Sequence, residues 1–165
     1  MAASHTAVAP RVHWAVRMNW KNRSTSFVLL GAALGSHMQD MHAGPWAWWL
    51  LALQFLVYPH LLYLHGRWAG SSCKAEVQNM LADALCFGAW AAALGFPLWI
   101  SFILFAGASV NLLAFRSWQG WLEAVVVMAA GVLLVGLLHP LVFQPETSLS
   151  TTLLCMGTLM VFLAA

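Results

Sequence analysis

The chain has 165 residues, 62% of them hydrophobic, and its 7 Lys and Arg against 5 Asp and Glu give a net charge of +2. A soluble domain is about one quarter charged, so a chain that is 7% charged cannot cover a water-facing surface, and its solvent is expected to be lipid. The small net charge, with no basic run, argues against a nucleic-acid partner. Three widely spaced cysteines, Cys73, Cys86 and Cys155, form no CxxC and no disulfide framework.

Residues 1–24, "MAASHTAVAPRVHWAVRMNWKNRS", lack the apolar core of a signal peptide and read as a cytoplasmic tail. The tail either is disordered or lies on the membrane. In the second case Trp14, Met18 and Trp20 dip into the bilayer and Arg11, Arg17 and Lys21 stay among the headgroups. A spanning helix needs about 20 mostly apolar residues, and six segments qualify. The first, 25–42, "TSFVLLGAALGSHMQDMH", is the weakest and has a polar end. The others are 46–65, 77–96, 98–115, 120–143 and a last one from 148 to the final residue. Gly44-Pro45, Phe96-Pro97 and Gln144-Pro145 break three of the connections, because proline cannot continue a helix and restricts the residue before it. The polar stretches "GRWAGSSCKAE" and "RSWQG" make the other two.

Arg11, Arg17, Lys21, Arg23, Arg67, Lys74 and Arg116 all fall on one side of this six-span arrangement. Positive charge stays on the cytoplasmic side. The expected fold is therefore all-α, a polytopic membrane protein of six transmembrane helices with both termini cytoplasmic. The long apolar runs lack the alternation of a β-barrel. The last span reaches Ala165 without a flanking Lys or Arg, so residues 25–165 are expected to be a membrane domain followed by a cytoplasmic output domain.

Charged and amide side chains inside a bilayer are costly and face the bundle interior with partners. In this topology Asp83 lies about 10 Å from the cytoplasmic end of its span, and His60, Asn111 and Glu123 each about 8 Å. Four helices thus contribute to one polar layer. Glu76, Asn79 and Asp83, spaced i, i+3, i+7, share one face of the third helix. Pro59, next to His60, is expected to kink the second. The layer reads as an interhelical hydrogen-bond cluster, as a ligand or protonation site, or as part of a transport path. The last lacks a second polar layer and an inverted repeat. "HMQDMH" at 37–42 offers His37, Met41 and His42, whose imidazole and thioether suit copper, as weak metal candidates. His139 could join them. Small residues four apart, Gly31/Gly35, Ala84/Gly88/Ala92 and Gly120/Ala124, allow close helix approach within the bundle or between protomers. Trp46, Trp48, Trp49, Trp68, Trp118 and Trp121 sit near span ends as interface anchors do. The chain carries no nucleophile, zincin, phosphate-loop or dinucleotide motif. It is therefore not expected to be an enzyme by itself, and no cofactor is implied.

The segments "PWAWWLLALQFLVYPHLLYLHGRW", "EVQNMLADALCFGAW" and "LFAGASVNLLAF" resemble the bacterial membrane-associated sensor domain of the second type. The matching positions are Pro59, His60, Glu76, Asn79, Asp83 and Asn111, and the likeness extends over about residues 25–165. The resemblance implies an integral module of the bacterial inner membrane, dimerising and sensory, that precedes a GGDEF diguanylate cyclase or a class III adenylate cyclase domain. Its expected partners are the bilayer, a second copy, the fused cyclase and an unidentified small ligand. The alternatives are a passive anchor without a ligand and a small proton- or metal-coupled carrier.

Overall fold

A computed structural model describes residues 14–164, with side chains from 16 to 162. Among the described residues every regular element is helical. Helix α1 spans Trp14–Asp40, about 40 Å at 1.5 Å per residue. It begins eleven residues before the expected start of the first span. No Gly or Pro interrupts residues 14–30, and Val16, Arg23, Phe27, Leu30 and Leu34 are buried on one helical stripe. From residue 14 onward the stretch read as a tail is therefore the first half of a packed helix. Residues 1–13, including Arg11, lie outside the described residues.

Pro45 opens α2, Pro45–Ala52, with Gly44 as its extended N-cap. A π-turn, Leu53–Val57, follows and α3, Tyr58–Trp68, continues the same helix. Pro59 explains the π-turn. Proline has no N–H, and its ring would clash with the carbonyl four residues back. Closing the turn through Tyr58 N–H to Leu53 O adds a residue and shifts the ladder, as π-bulges do. The expected kink at Pro59 is thus a register change in the turn before it.

Helix α4 spans Ser72–Ala93. It closes on a Schellman-type cap, in which Phe96 N donates to Ala91 O at 2.8 Å and Gly95 adopts φ +81°. Helix α5, Leu98–Leu138, is broken at Arg116 and Ser117, the latter at φ 56°, ψ −148°. Straight, its 41 residues would reach about 62 Å. Instead it folds back, and Met80, Leu112 and Ala124 form one buried cluster. A Cβ on Gly120 would overlap the Leu112 carbonyl. Its two arms, 98–115 and 118–138, are the expected fourth and fifth segments. The fifth was expected to reach 143, but helix ends at Leu138. The extended stretch beyond it is tied down by Gln144 N to Gly95 O, 2.7 Å, and Leu98 N to Pro145 O, 3.0 Å. Helix α6 is Leu149–Ala164. Pro45–Trp68 and Leu98–Leu138 are long and apolar enough to cross a membrane.

The helical arms run up and down, and α4 lies between α1 and the second arm of α5. A Cβ on Gly88 would overlap the Met128 carbonyl, and one on Gly131 the Leu85 carbonyl, so α4 and that arm touch backbone to backbone. Gly31 meets Phe55, and Gly35 meets Trp48 and Leu51. The small residues thus serve packing inside one chain. Arg17, Lys21, Arg67, Lys74 and Arg116 are exposed at one end of the bundle. Arg23 is buried, so it is no surface charge.

Candidate functional site

Arg23 is the centre of the polar interior. From the middle of α1 its side chain crosses to α4, where Nε donates to Asp83 Oδ2 at 2.9 Å and Nη2 donates to Glu76 Oε2 at 3.4 Å. Asn19, one turn earlier on α1, donates its amide to the same Glu76 oxygen at 3.3 Å. Arg23, Glu76 and Asp83 are 8%, 1% and 6% exposed. Glu76 and Asp83 lie two turns apart on one face of α4, and the guanidinium fits between them because its donors form a planar fork. Their buried charges are tolerated because they are paired.

Asn79 lies on the same face and points towards α3. Its amide donates to Leu62 O at 3.1 Å, and its Oδ1 lies 2.8 Å from His65 Nδ1. That contact requires the proton on Nδ1, since the amide oxygen only accepts. Glu76, Asn79 and Asp83 therefore hold α1 and α3 against α4 from a single helix face.

Two of the other expected members of the layer, His60 and Glu123, are elsewhere. His60 is exposed and accepts a hydrogen bond from Trp20 Nε1 at 3.2 Å. It does not meet Asp83. Glu123 pairs with Arg116 at 2.7 Å with both side chains more than a third exposed. Asn111, on the first arm of α5, is exposed and makes no side-chain hydrogen bond, but it lines the same cavity as Asp83. The layer read as one cluster is thus a buried Arg23 centre, two surface pairs and one unbonded amide. Arg23, which the sequence groups with the cytoplasmic charges, is instead the buried partner. The signal was its place on the buried stripe, four and seven residues before Phe27 and Leu30.

Beside the Arg23 centre is a cavity of about 280 Å³ between α1, α4, the first arm of α5 and α6. Arg23, Asp83 and Asn111 line it, together with Phe27, Leu30, Phe87 and Ile103. Arg23 Nη1, Asp83 Oδ1, Glu76 Oε1 and the Tyr58 hydroxyl are buried without a hydrogen-bond partner. The centre therefore keeps donor and acceptor capacity that its own chain does not use, and buried polar atoms of that kind call for an explanation.

His37 is buried, whereas Met41 and His42 are exposed, and the His42 ring bonds the Asp40 carbonyl at 3.2 Å. His139 is exposed as well. Among the described residues no three His, Cys, Asp or Glu side chains gather as metal ligands, and the "HMQDMH" candidates lie at the end of α1.

No curated protein and no solved structure matches the chain. The MASE2 domain matches residues 20–106, more than half of the chain. The matched stretch contains Arg23, Pro59, His60, Glu76, Asn79 and Asp83, and leaves Asn111 and Glu123 outside. The chain belongs to the MASE2 family, the membrane-associated sensory domains found N-terminal to cyclase domains.

Proposed function

We propose that the chain is a six-span sensory and dimerising module of the bacterial inner membrane. Both of its termini are cytoplasmic, and it controls a nucleotide cyclase domain joined after α6. The up-and-down order of the helical arms supports the six crossings. So do the exposed tryptophans near their ends and the exposed Lys and Arg at one end, which positive charge marks as cytoplasmic.

The observation that carries the sensory role is the Arg23–Asp83–Glu76 centre, whose Nη1 and Oδ1 are unpartnered on two residues that line the cavity. A buried ion pair adds little net stability over apolar packing, so stability alone gives little reason for one here. A centre that ties α1 to α4 and retains free donors and acceptors can exchange internal partners for a ligand's. That exchange biases one helix packing over another, which is a population shift. A cyclase that works at a dimer interface would respond to such a change in its anchor.

The test joins the chain at Ala165 to a diguanylate cyclase catalytic domain and compares wild type with Asp83→Asn. Asn keeps the shape and an acceptor for Arg23 Nε but removes the charge. The sensory role predicts changed cyclic di-GMP output with unchanged membrane insertion and dimer fraction. A passive anchor predicts the same output from both.

A further inference from the structure

The cavity has a direction. On α1 its lining passes from Asn19, Asn22, Arg23 and Ser26 to Phe27 and Leu30, a run of about 16 Å along the axis. On α4 it passes the same way, from Asp83 to Phe87, and on the antiparallel first arm of α5 from Asn111 back to Ile103. Three helices thus grade from polar to apolar together, with Met80, Val110 and Phe162 as the apolar residues at the polar end and Thr158 as a further polar residue on α6. The shape is that of a site for a molecule with a polar head and an apolar tail.

The head chemistry follows from the atoms left free. Arg23 Nη1 is an unused donor and Asp83 Oδ1 an unused acceptor, both buried on residues that line the cavity. Tyr58 is a neighbour of Asp83, and its hydroxyl is buried without a hydrogen-bond partner. A carboxylate head would satisfy only the donor and bring negative charge to Asp83. An ammonium head would satisfy only the acceptor and leave the Arg23 donor unused. A neutral head that both accepts and donates, such as an amide, serves both. The size follows from the volume. A cavity of about 150 Å³ holds benzene, with its six carbons, so 280 Å³ holds about ten non-hydrogen atoms.

We infer that the cavity between α1, α4, the first arm of α5 and α6 binds a neutral, single-chain amphiphile of about ten non-hydrogen atoms. Its amide-like head lies at Arg23 and Asp83, and its alkyl tail lies among Phe27, Leu30, Phe87 and Ile103. This assignment rests on the sensory reading of the same centre and gives it a ligand class.

Octanamide matches the size and is the probe, with octanoate and octylammonium as charged counterparts. Binding to the purified chain in lipid nanodiscs is measured by calorimetry, with empty nanodiscs as the partition control. Gly107 lines the cavity, and a Cβ there meets only Phe87, at 3.9 Å, so Gly107→Leu starts into open space and takes up part of it. Leucine also favours helix over glycine, so the variant is expected to keep or raise its unfolding temperature. The expected result is saturable octanamide binding, weaker by about tenfold or more for either charged probe and for Gly107→Leu. Uptake that does not saturate, or that Gly107→Leu leaves unchanged, overturns the site. Charged probes that bind as tightly as octanamide overturn the head assignment. Because no cyclase is present, saturable binding together with an unresponsive cyclase fusion refutes the sensory role and leaves the site standing.

Discussion

Replacing Arg23 with methionine removes the guanidinium and keeps most of the side-chain bulk. The consequence follows from the geometry of the centre. Asp83 and Glu76, with side chains 9% and 1% exposed, would lose a cation at 2.9 and 3.4 Å. Removing one partner of a buried pair costs about 3–5 kcal/mol, because the other charge is left uncompensated. That is about two to three and a half powers of ten in the folded-to-unfolded ratio. The cost belongs to the stranded carboxylates, not to the lost contact, so it should vanish when they go too. The triple variant Arg23→Met, Glu76→Met, Asp83→Leu replaces the whole centre with apolar groups of similar size. It should recover at least about 2 kcal/mol over Arg23→Met alone, since apolar replacements of buried ion clusters are often neutral or stabilising. The assay is reversible unfolding in mixed micelles, followed by helical circular dichroism at increasing dodecyl sulfate. A cost for Arg23→Met below about 1 kcal/mol, the level of a surface pair, would refute the buried-pair reasoning. So would a triple variant less stable than the single one.

Gly88→Val should force α4 and the second arm of α5 apart, because its Cβ falls on the Met128 carbonyl. A loss of about 1–3 kcal/mol in the same assay is expected, whereas Gly157→Ala, with nothing within 4 Å, should not destabilise. Ser117→Gly should stabilise the fold-back of α5 by up to about 1 kcal/mol, because φ 56°, ψ −148° is close to a region that essentially only glycine occupies. A destabilised variant would contradict that backbone reading. Glu123→Gln should cost less than about 1 kcal/mol, since its pair with Arg116 is more than a third exposed on both sides. A larger loss would mean that the pair is buried in the functional assembly.

The helical arms and most of their ends were legible in the sequence because lipid-length apolar runs and Gly-Pro, Phe-Pro and polar breaks are local signals. The i, i+3, i+7 spacing of Glu76, Asn79 and Asp83 likewise fixed one face of α4 without tertiary information. The partner was harder to see. Arg23 lies in a stretch rich in Arg, Lys and Asn, and that composition reads as a tail. Only the burial of Val16, Phe27 and Leu30 on its own stripe marks it as inward-facing. His60 has the converse history. Depth along the helix axis put it level with Asp83, but depth says nothing of azimuth, and it faces Trp20 on the surface. The π-turn before Pro59 turns the remainder of the helix about its axis, a rotation that spacing counted at 3.6 residues per turn does not include. The approach of Gly88 to Met128 was legible only as a small residue, since no local signal distinguishes packing within a chain from packing between chains.

Everything in the functional reading depends on which end of the bundle faces the cytoplasm. Cys73 is exposed in the first turn of α4, at the end that carries Lys21, Arg67 and Lys74, whereas Cys86 is half-buried and Cys155 buried. A membrane-impermeant maleimide applied to spheroplasts and to inverted membrane vesicles therefore reads the orientation from a native residue. The six-span topology predicts labelling of Cys73 in inverted vesicles and none in intact spheroplasts. Labelling of Cys73 from outside the cell would contradict it.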